Sequence, residues 1–123
     1  MSMRTASECL HVFGQAATGT IALVAAVANQ RVYVYSFILM IGTPAVNVTL
    51  QDTSNTALSQ AFQLAANGSV TLDFRQNLDP WWVSGRYNPV AGVQALDTMG
   101  LGIQWSQTGT TTVSYDVWFL IGP

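Results

Sequence analysis

Very few residues in this chain have side chains that could do chemistry. His11 is the only histidine and Cys9 the only cysteine among 123 residues, so the chain cannot form an internal disulfide and lacks the thiols for zinc or iron–sulfur ligation. The only acidic residue near His11 in the sequence is Glu8. A general base needs its partners within hydrogen-bond reach, and we therefore expect neither His11 nor Cys9 to be catalytic or to bind a metal.

The aspartates are spread singly along the chain. Asp73 and Asp116 fall on strand faces that are predicted to point outward, while Asp52, Asp79 and Asp97 fall in predicted turns, where aspartate commonly bonds its own backbone. The chain contains no glycine-rich phosphate loop and no HExxH or GxSxG motif. The sequence therefore predicts no catalytic residue, no metal site and no cofactor, and indicates that the protein is not an enzyme.

The stretch DPWWVSGRYNP, residues 79–89, is the most site-like part of the sequence. In a strand, Trp81 and Trp82 would point to opposite faces, so they form one flat stacking platform only if the backbone bends. One interpretation is that one tryptophan plugs the end of the core while the other lies outside, where Arg86 or Tyr87 stacks against it. The other interpretation is a glycan-binding platform. The sequence leaves both open.

The elements that must position these residues are predicted to be strands. Apolar and polar residues alternate with period two through VNVTLQD, SVTLDF, MGLGIQWS and TVSYDVWFLI. Further strands are expected at about 20–28, 30–41 and 57–64. Seven or eight short strands separated by turn residues predict an all-β fold, an antiparallel β-sandwich or jelly roll. We expect residues 1–19 to be a loose N-terminal arm or an edge strand, and residues 20–123 to be the sandwich domain.

One predicted strand, RVYVYSFILMI, is apolar on both faces. Strict alternation places Val32, Val34, Ile38 and Met40 on one face, and Tyr33, Tyr35, Phe37, Leu39 and Ile41 on the other. The first face can pack into the sandwich, and the second needs a cover, either a second subunit or the N-terminal arm. The residues predicted to mediate self-association, including two from the last strand, are Tyr33, Tyr35, Phe37, Leu39, Trp118 and Leu120.

The composition also indicates an assembly. Half of the residues are hydrophobic and only 8% are charged, against about 25% in an ordinary soluble domain. So few charges predict that part of the surface is buried against other subunits. The net charge of −2 argues against nucleic acid, whose binding depends on Lys and Arg. No apolar run approaches the 18 or so residues of a membrane helix.

Residues 20–85 carry a family resemblance. The phrases IALVAAVANQRVYVYSFILMI and AVNVTLQDTSNTALSQAFQLAANGSVTLDF, followed by a tryptophan loop, resemble small all-β virion auxiliary proteins of tailed bacteriophages, of the head decoration type. The resemblance implies a virion location, a homotrimer, contact with the major capsid protein or another virion protein, and an N-terminal segment, residues 1–20, that holds the shell. The doubled tryptophan and the connection SGRYNPVAGVQALDTMG depart from the family pattern.

The sequence and the resemblance together predict a non-enzymatic phage virion structural protein, a capsid decoration protein that stabilises the shell by bridging capsomers. The alternative is a carbohydrate-binding β-sandwich module of a phage tail or cell-surface protein. That alternative would bind a glycan through Trp81, Trp82, Arg86 and Tyr87.

Overall fold

The computed structural model describes residues 9–16, 19–42, 45–55, 57–59, 61–74, 80–85, 99–108 and 112–123. These residues are all-β. Their strands, in chain order, are β1 (Leu10–Ala16), β2 (Gly19–Val24), β3 (Arg31–Ile41), β4 (Val46–Asp52), β5 (Phe62–Leu64), β6 (Ser69–Leu72), β7 (Trp82–Val83), β8 (Ile103–Thr108) and β9 (Val113–Gly122).

The strands pair in a nested order. β1 pairs with β9, β2 with β8, β3 with β6 and β4 with β5, all antiparallel, so the chain is one long hairpin folded at its middle. Further pairing of β9 with β3 and of β8 with β4 rolls this hairpin into two sheets, ordered β1-β9-β3-β6 and β2-β8-β4-β5. This is a jelly roll, and the predicted fold class is confirmed.

The strand count differs from the prediction because of β7. Its two residues pair with Tyr33 and Val34, on the same edge of β3 where β6 pairs farther along, from Phe37 to Met40. β6 and β7 thus share one side of β3. Such a short strand has no alternation of its own, because two residues cannot show a period, and its pairing to β3 spans about 50 positions of the chain.

The core lies between the two sheets and follows the predicted alternation in β4, β8 and β9. Val48, Leu50 and Ile103 are fully buried, as the alternation predicts. Trp105 is also fully buried, and its indole N–H donates a hydrogen bond of 2.9 Å to Oε1 of Gln107. A buried tryptophan needs such a partner, because an unsatisfied N–H would cost free energy.

A β-bulge in β3 changes which side chains reach the core. Opposite β9, Val34 pairs with Phe119 but the next paired residue is Ser36, opposite Trp118, so Tyr35 is an extra residue. An extra residue shifts the pleat by one and exchanges the two faces beyond it. The residues of β3 that join the core therefore come from both predicted faces: Val32, Val34, Phe37, Leu39 and Ile41.

The predicted faces of β3 are therefore wrong beyond the bulge. Phe37 and Leu39, predicted to lie on the subunit-facing side, are fully buried in the core. Tyr35, at the bulge, is also buried. The outer face instead carries Ile38 and Met40, together with three of the residues predicted for self-association: Tyr33, Trp118 and Leu120.

The N-terminal segment contributes an edge strand in the part that the structure describes. β1 lies beside β9 over seven consecutive pairs, from Leu10 opposite Phe119 to Ala16 opposite Val113. It therefore widens the first sheet and does not fold over its outer face. Residues 1–8 of the predicted arm lie outside the described residues.

Candidate functional site

The two sheets present very different outer faces. The outer face of the second sheet carries uncharged polar side chains, among which the buried Gln104 donates hydrogen bonds to Gln51 and Asn55 at 3.1 and 2.8 Å. The outer face of the first sheet is rich in apolar and aromatic groups instead. We call it the apolar face and define it by His11, Phe13, Tyr33, Ile38, Met40, Phe74, Trp118 and Leu120.

Two side chains of the apolar face are strongly exposed. Phe13 is 72% exposed and Met40 is 51% exposed, although a phenylalanine or methionine is ordinarily found inside a protein. They lie on different strands, β1 and β3, with β9 between them. The exposed apolar surface therefore extends across the sheet and is not a single protruding residue.

Four rings form a row across the apolar face, which we call the aromatic strip. His11 stacks on Trp118 with ring centroids 4.3 Å apart and planes 8° apart, because the two residues are direct cross-strand partners. Phe13, two residues farther along β1, continues the strip along this edge strand, with its ring 5.4 Å from the ring of His11. Phe74, just beyond β6, extends it the other way, 6.2 Å from the ring of Trp118.

A hydrogen-bonded pair fixes the orientation of the imidazole within the strip. Nε2 of His11 lies 2.8 Å from Oδ1 of Asp116 on β9. The side chains are 36% and 32% exposed, so water screens their interaction, and a pair of this kind contributes about 0–1 kcal/mol to stability. Its effect is therefore geometric: it holds the ring parallel to Trp118. This pair could not be recognised in the sequence, because the two residues are 105 positions apart.

The two tryptophans of the predicted site have different surroundings. The ring of Trp82 packs against the core, edge-on to Phe37 at 5.6 Å and to Phe62 at 6.1 Å. The indole N–H of Trp81 instead donates a 2.7 Å hydrogen bond to the backbone oxygen of Asp73. Trp82 thus packs against the core, as the plug interpretation expects of one of the two tryptophans. Arg86 and Tyr87 lie outside the described residues.

Ser84 anchors the end of the tryptophan segment to the sandwich. Its fully buried hydroxyl accepts a hydrogen bond from the backbone N–H of Val32 at 2.8 Å and donates one to the backbone oxygen of Leu101 at 2.7 Å. Its own backbone N–H donates to the oxygen of Val32 at 2.9 Å. This serine therefore ties β3 to the segment that leads into β8, and it holds Trp82 against the core.

The described part of the chain holds no group of three or more His, Cys, Asp or Glu side chains that could bind a metal ion. Within the same residues there is no helix long and apolar enough to cross a membrane. The most distinctive surface in the described structure is the apolar face with its aromatic strip.

Comparison with known proteins adds a distant likeness. No family model matches the chain, and no curated protein matches it. Among solved structures, the chain is similar to one chain in the structure of the Gx strain of infectious bursal disease virus, with 16% sequence identity and a TM-score of 0.27. The match covers 98% of this chain and 40% of that chain. Values this low do not assign a family or a function.

Proposed function

We propose that the protein is a non-enzymatic structural subunit of a phage virion, a capsid decoration protein that stabilises the shell by bridging capsomers. The observation that carries the proposal is the apolar face, an exposed aromatic and aliphatic surface on a hydrogen-bonded β-sheet. Such a surface gains free energy when a partner removes it from water, at about 25 cal/mol per Å² of apolar area. An extended patch of this kind usually marks an interface.

The fold and the composition agree with that proposal. Jelly rolls serve as capsid domains and as lectin domains, so the fold is compatible with the proposal but does not select it. With 8% charged residues and no lysine, the chain lacks the ionic groups that usually keep a small domain apart from its neighbours. A subunit held by many modest contacts in a lattice does not need them.

The carbohydrate-binding alternative has less support from the geometry. Trp82 contacts Phe37 and Phe62 with its ring and is partly buried against the core, so less of the ring is available to stack on a sugar. A glycan site in this segment would have to rest on Trp81, together with Arg86 and Tyr87. The apolar face offers a larger exposed aromatic surface than Trp81 alone.

The direct test is to look for the chain in virus particles. Particles from a culture that carries the gene are banded in a density gradient and their proteins are identified by mass spectrometry. We expect the chain in the particle band in a fixed ratio to the major capsid protein. If the chain stays at the top of the gradient while complete particles lack it, the proposal is wrong.

A second measurement separates decoration from an integral role in the shell. Particles formed without the chain are heated alongside particles to which the purified protein has been added back. A decoration protein should leave assembly intact and raise the temperature at which the heads release DNA. An absence of heads without the chain would show an integral shell component and would contradict decoration.

The N-terminal contribution to shell contact remains part of the proposal. Because β1 begins at Leu10, a deletion through residue 20 would remove an entire strand and part of β2. Deleting residues 1–8 leaves both strands in place. We expect this shortened protein to fold and to lose binding to heads that lack the chain; full binding would show that the shell contact lies elsewhere.

A further inference from the structure

The four open edges of the two sheets differ in how well they are protected against pairing with another strand. Natural proteins block such edges with short strands, bulges, charges or proline. β2 is interrupted by a bulge between Ala22 and Val24. β5 has three residues, and the opposite edge of the first sheet is divided between the four residues of β6 and the two of β7.

β1 is the exception. It pairs with β9 over all seven of its residues without a register shift, and among the described strands it has no partner on its other side. Its sequence, LHVFGQA, contains no lysine, arginine, aspartate, glutamate or proline. Within the described part of the chain it is therefore a regular strand whose outer edge is unpaired and carries none of the usual protection.

Two of the four exposed side chains that the structure describes in β1 are apolar, and the other two, His11 and Gln15, are polar. Phe13, the middle residue of the strand, is 72% exposed, and Leu10 at its first position is 53% exposed. Phe13 lies at the outer end of the aromatic strip, where the apolar face reaches the edge of the sheet. The unprotected edge and the exposed apolar surface therefore meet at one residue.

We propose that β1 pairs antiparallel with β1 of a second copy of this chain about a two-fold axis, joining the first sheets of two subunits into one continuous sheet. This proposal goes beyond the proposed function and does not depend on it. An isologous contact of this type closes on itself, so it predicts a dimer or a higher assembly built from dimers. It replaces the trimer that the family resemblance implies.

The register follows from the length of the strand. Pairing all seven residues of β1 places Phe13 opposite Phe13 of the second copy, on the two-fold axis. His11 then lies opposite Gln15, and Val12 opposite Gly14. Because directly opposite residues share one face of a sheet, the two aromatic strips meet at the Phe13 rings and form one row across both subunits.

A second copy fits this edge better than a charged partner does. The strand offers backbone hydrogen bonds and apolar side chains but no charged group to recognise an ionic segment. Two copies of an uncharged strand meet without like-charge repulsion. The exposed Phe13 of each copy covers the Phe13 of the other, and the two-fold axis passes between the two residues.

Cysteine cross-linking tests the register directly. In a Cys9→Ser background, which removes the only native thiol, Phe13→Cys places two cysteines opposite each other across the proposed axis. Opposite residues in antiparallel strands have Cα atoms about 4.5–5.5 Å apart, within the range that a disulfide spans. Mild oxidation should convert most of the protein into a covalent dimer on a non-reducing gel.

The matched control for cross-linking is Met40→Cys in the same background. Met40 is also strongly exposed on the apolar face, but it lies on β3, away from the β1 edge. We expect it to remain monomeric on the gel. Efficient cross-linking through Met40→Cys and none through Phe13→Cys would overturn the edge contact and place the subunit contact on the face of the sheet.

A charge variant tests the same edge without oxidation. Phe13→Lys adds the charge that natural edge strands use to prevent pairing, at an exposed position where it does not disturb the core. We expect the dimer to dissociate with at least a tenfold weaker association constant, while Met40→Lys leaves it unchanged. The far-ultraviolet circular dichroism of both variants should match the unmodified protein, which shows that each still folds.

The outcomes separate this inference from the proposed function. If Phe13→Lys leaves the dimer intact, or if the unmodified chain is a monomer or trimer, the edge pairing is wrong whatever the particle experiment shows. If the dimer dissociates as expected but the chain is absent from purified particles, the edge pairing stands and the virion proposal is wrong.

Discussion

Trp82 and Trp81 are adjacent in the sequence but have different surroundings in the fold. Trp82 contacts two core rings, whereas Trp81 uses its indole N–H to hold the backbone at Asp73. That two adjacent residues of an extended segment have different surroundings could be expected from the sequence. The sequence could not show which of the two tryptophans packs against the core, because that depends on the pairing of Trp82 with Val34.

Replacing Trp82 tests the plug interpretation. Trp82→Ala removes a ring packed against Phe37 and Phe62, and we expect it to lower the free energy of unfolding by about 3 kcal/mol, measured by urea unfolding. The matched variant Trp81→Ala should cost less, since Trp81 lies outside the core cluster. Unchanged stability of Trp82→Ala, together with loss of retention on a glycan column, would favour the carbohydrate-binding alternative.

Replacing Ser84 tests the anchor of the tryptophan segment. Ser84→Ala leaves the buried N–H of Val32 and the oxygen of Leu101 without their hydroxyl partner, and we expect a loss of about 1–3 kcal/mol in the free energy of unfolding. Ser114→Ala is the control, because the hydroxyl of Ser114 makes an exposed contact with Gln15. Equal unfolding midpoints for the two variants would show that the Ser84 hydroxyl does not stabilise the fold.

The pair of His11 and Asp116 marks a limit of sequence analysis at the scale of residues. The sequence showed a histidine whose only acidic neighbour was Glu8, and the actual partner lies on the last strand. Only the register between β1 and β9 brings the two together. Alternation within the last strand predicts that Asp116 and Trp118 lie on one face, but it does not predict that His11 lies beside them.

At the scale of elements, alternation predicted the faces of β4, β8 and β9 but failed in β3. The reason is the bulge at Tyr35. Because β3 carries apolar residues on both of its faces, the sequence pattern does not change where the extra residue is inserted. Three of the six residues predicted for self-association, Tyr35, Phe37 and Leu39, are buried for this reason.

The close approach at Gly102 shows how two elements constrain one position. A Cβ atom added to Gly102 would lie 2.2 Å from the backbone oxygen of Val24, and this oxygen belongs to β2, which cannot move without disturbing its pairing with β8. Gly102 and Thr53 also form two hydrogen bonds. The backbone N–H of Gly102 donates to Oγ1 of Thr53, and the backbone N–H of Thr53 donates to the backbone oxygen of Gly102. Only a residue without a side chain fits here.

We therefore expect Gly102→Ala to destabilise the protein by about 1–3 kcal/mol or more, the usual range for overpacking. Gly42→Ala is the matched control, because a Cβ at Gly42 would meet no atom of the described residues within 4 Å. Urea unfolding of both variants is the measurement. A Gly102→Ala protein as stable as Gly42→Ala would mean that β2 and the segment before β8 separate at little cost.

At the scale of the whole molecule, the nested pairing of the strands determines which surfaces are available. Rolling one long hairpin into two sheets brings the first and last strands together, so β1 becomes an edge beside β9. The all-β class followed from the number of short alternating segments and the turns between them. The strand order could not be predicted from the sequence, because every pairing except that of β4 with β5 joins strands that are not neighbours in the chain.

The low charge of the chain is also a property of the whole molecule, and the fold shows how it is distributed. The apolar residues that are not in the core lie mainly across the first sheet, while the second sheet presents uncharged polar groups. A protein with one such face and one unprotected edge has two surfaces suited to assembly. If the edge pairs with a second copy of the chain, the apolar face of the joined sheets stays available for a shell.

The solution mass of the intact, unmodified protein, measured by sedimentation equilibrium at micromolar concentration and moderate salt, tests self-association through β1. We expect a stable species of twice the 13.2 kDa chain mass, or an even multiple of it. A monomer across the whole concentration range would contradict the claim that the chain self-associates, and a trimer would contradict pairing through β1.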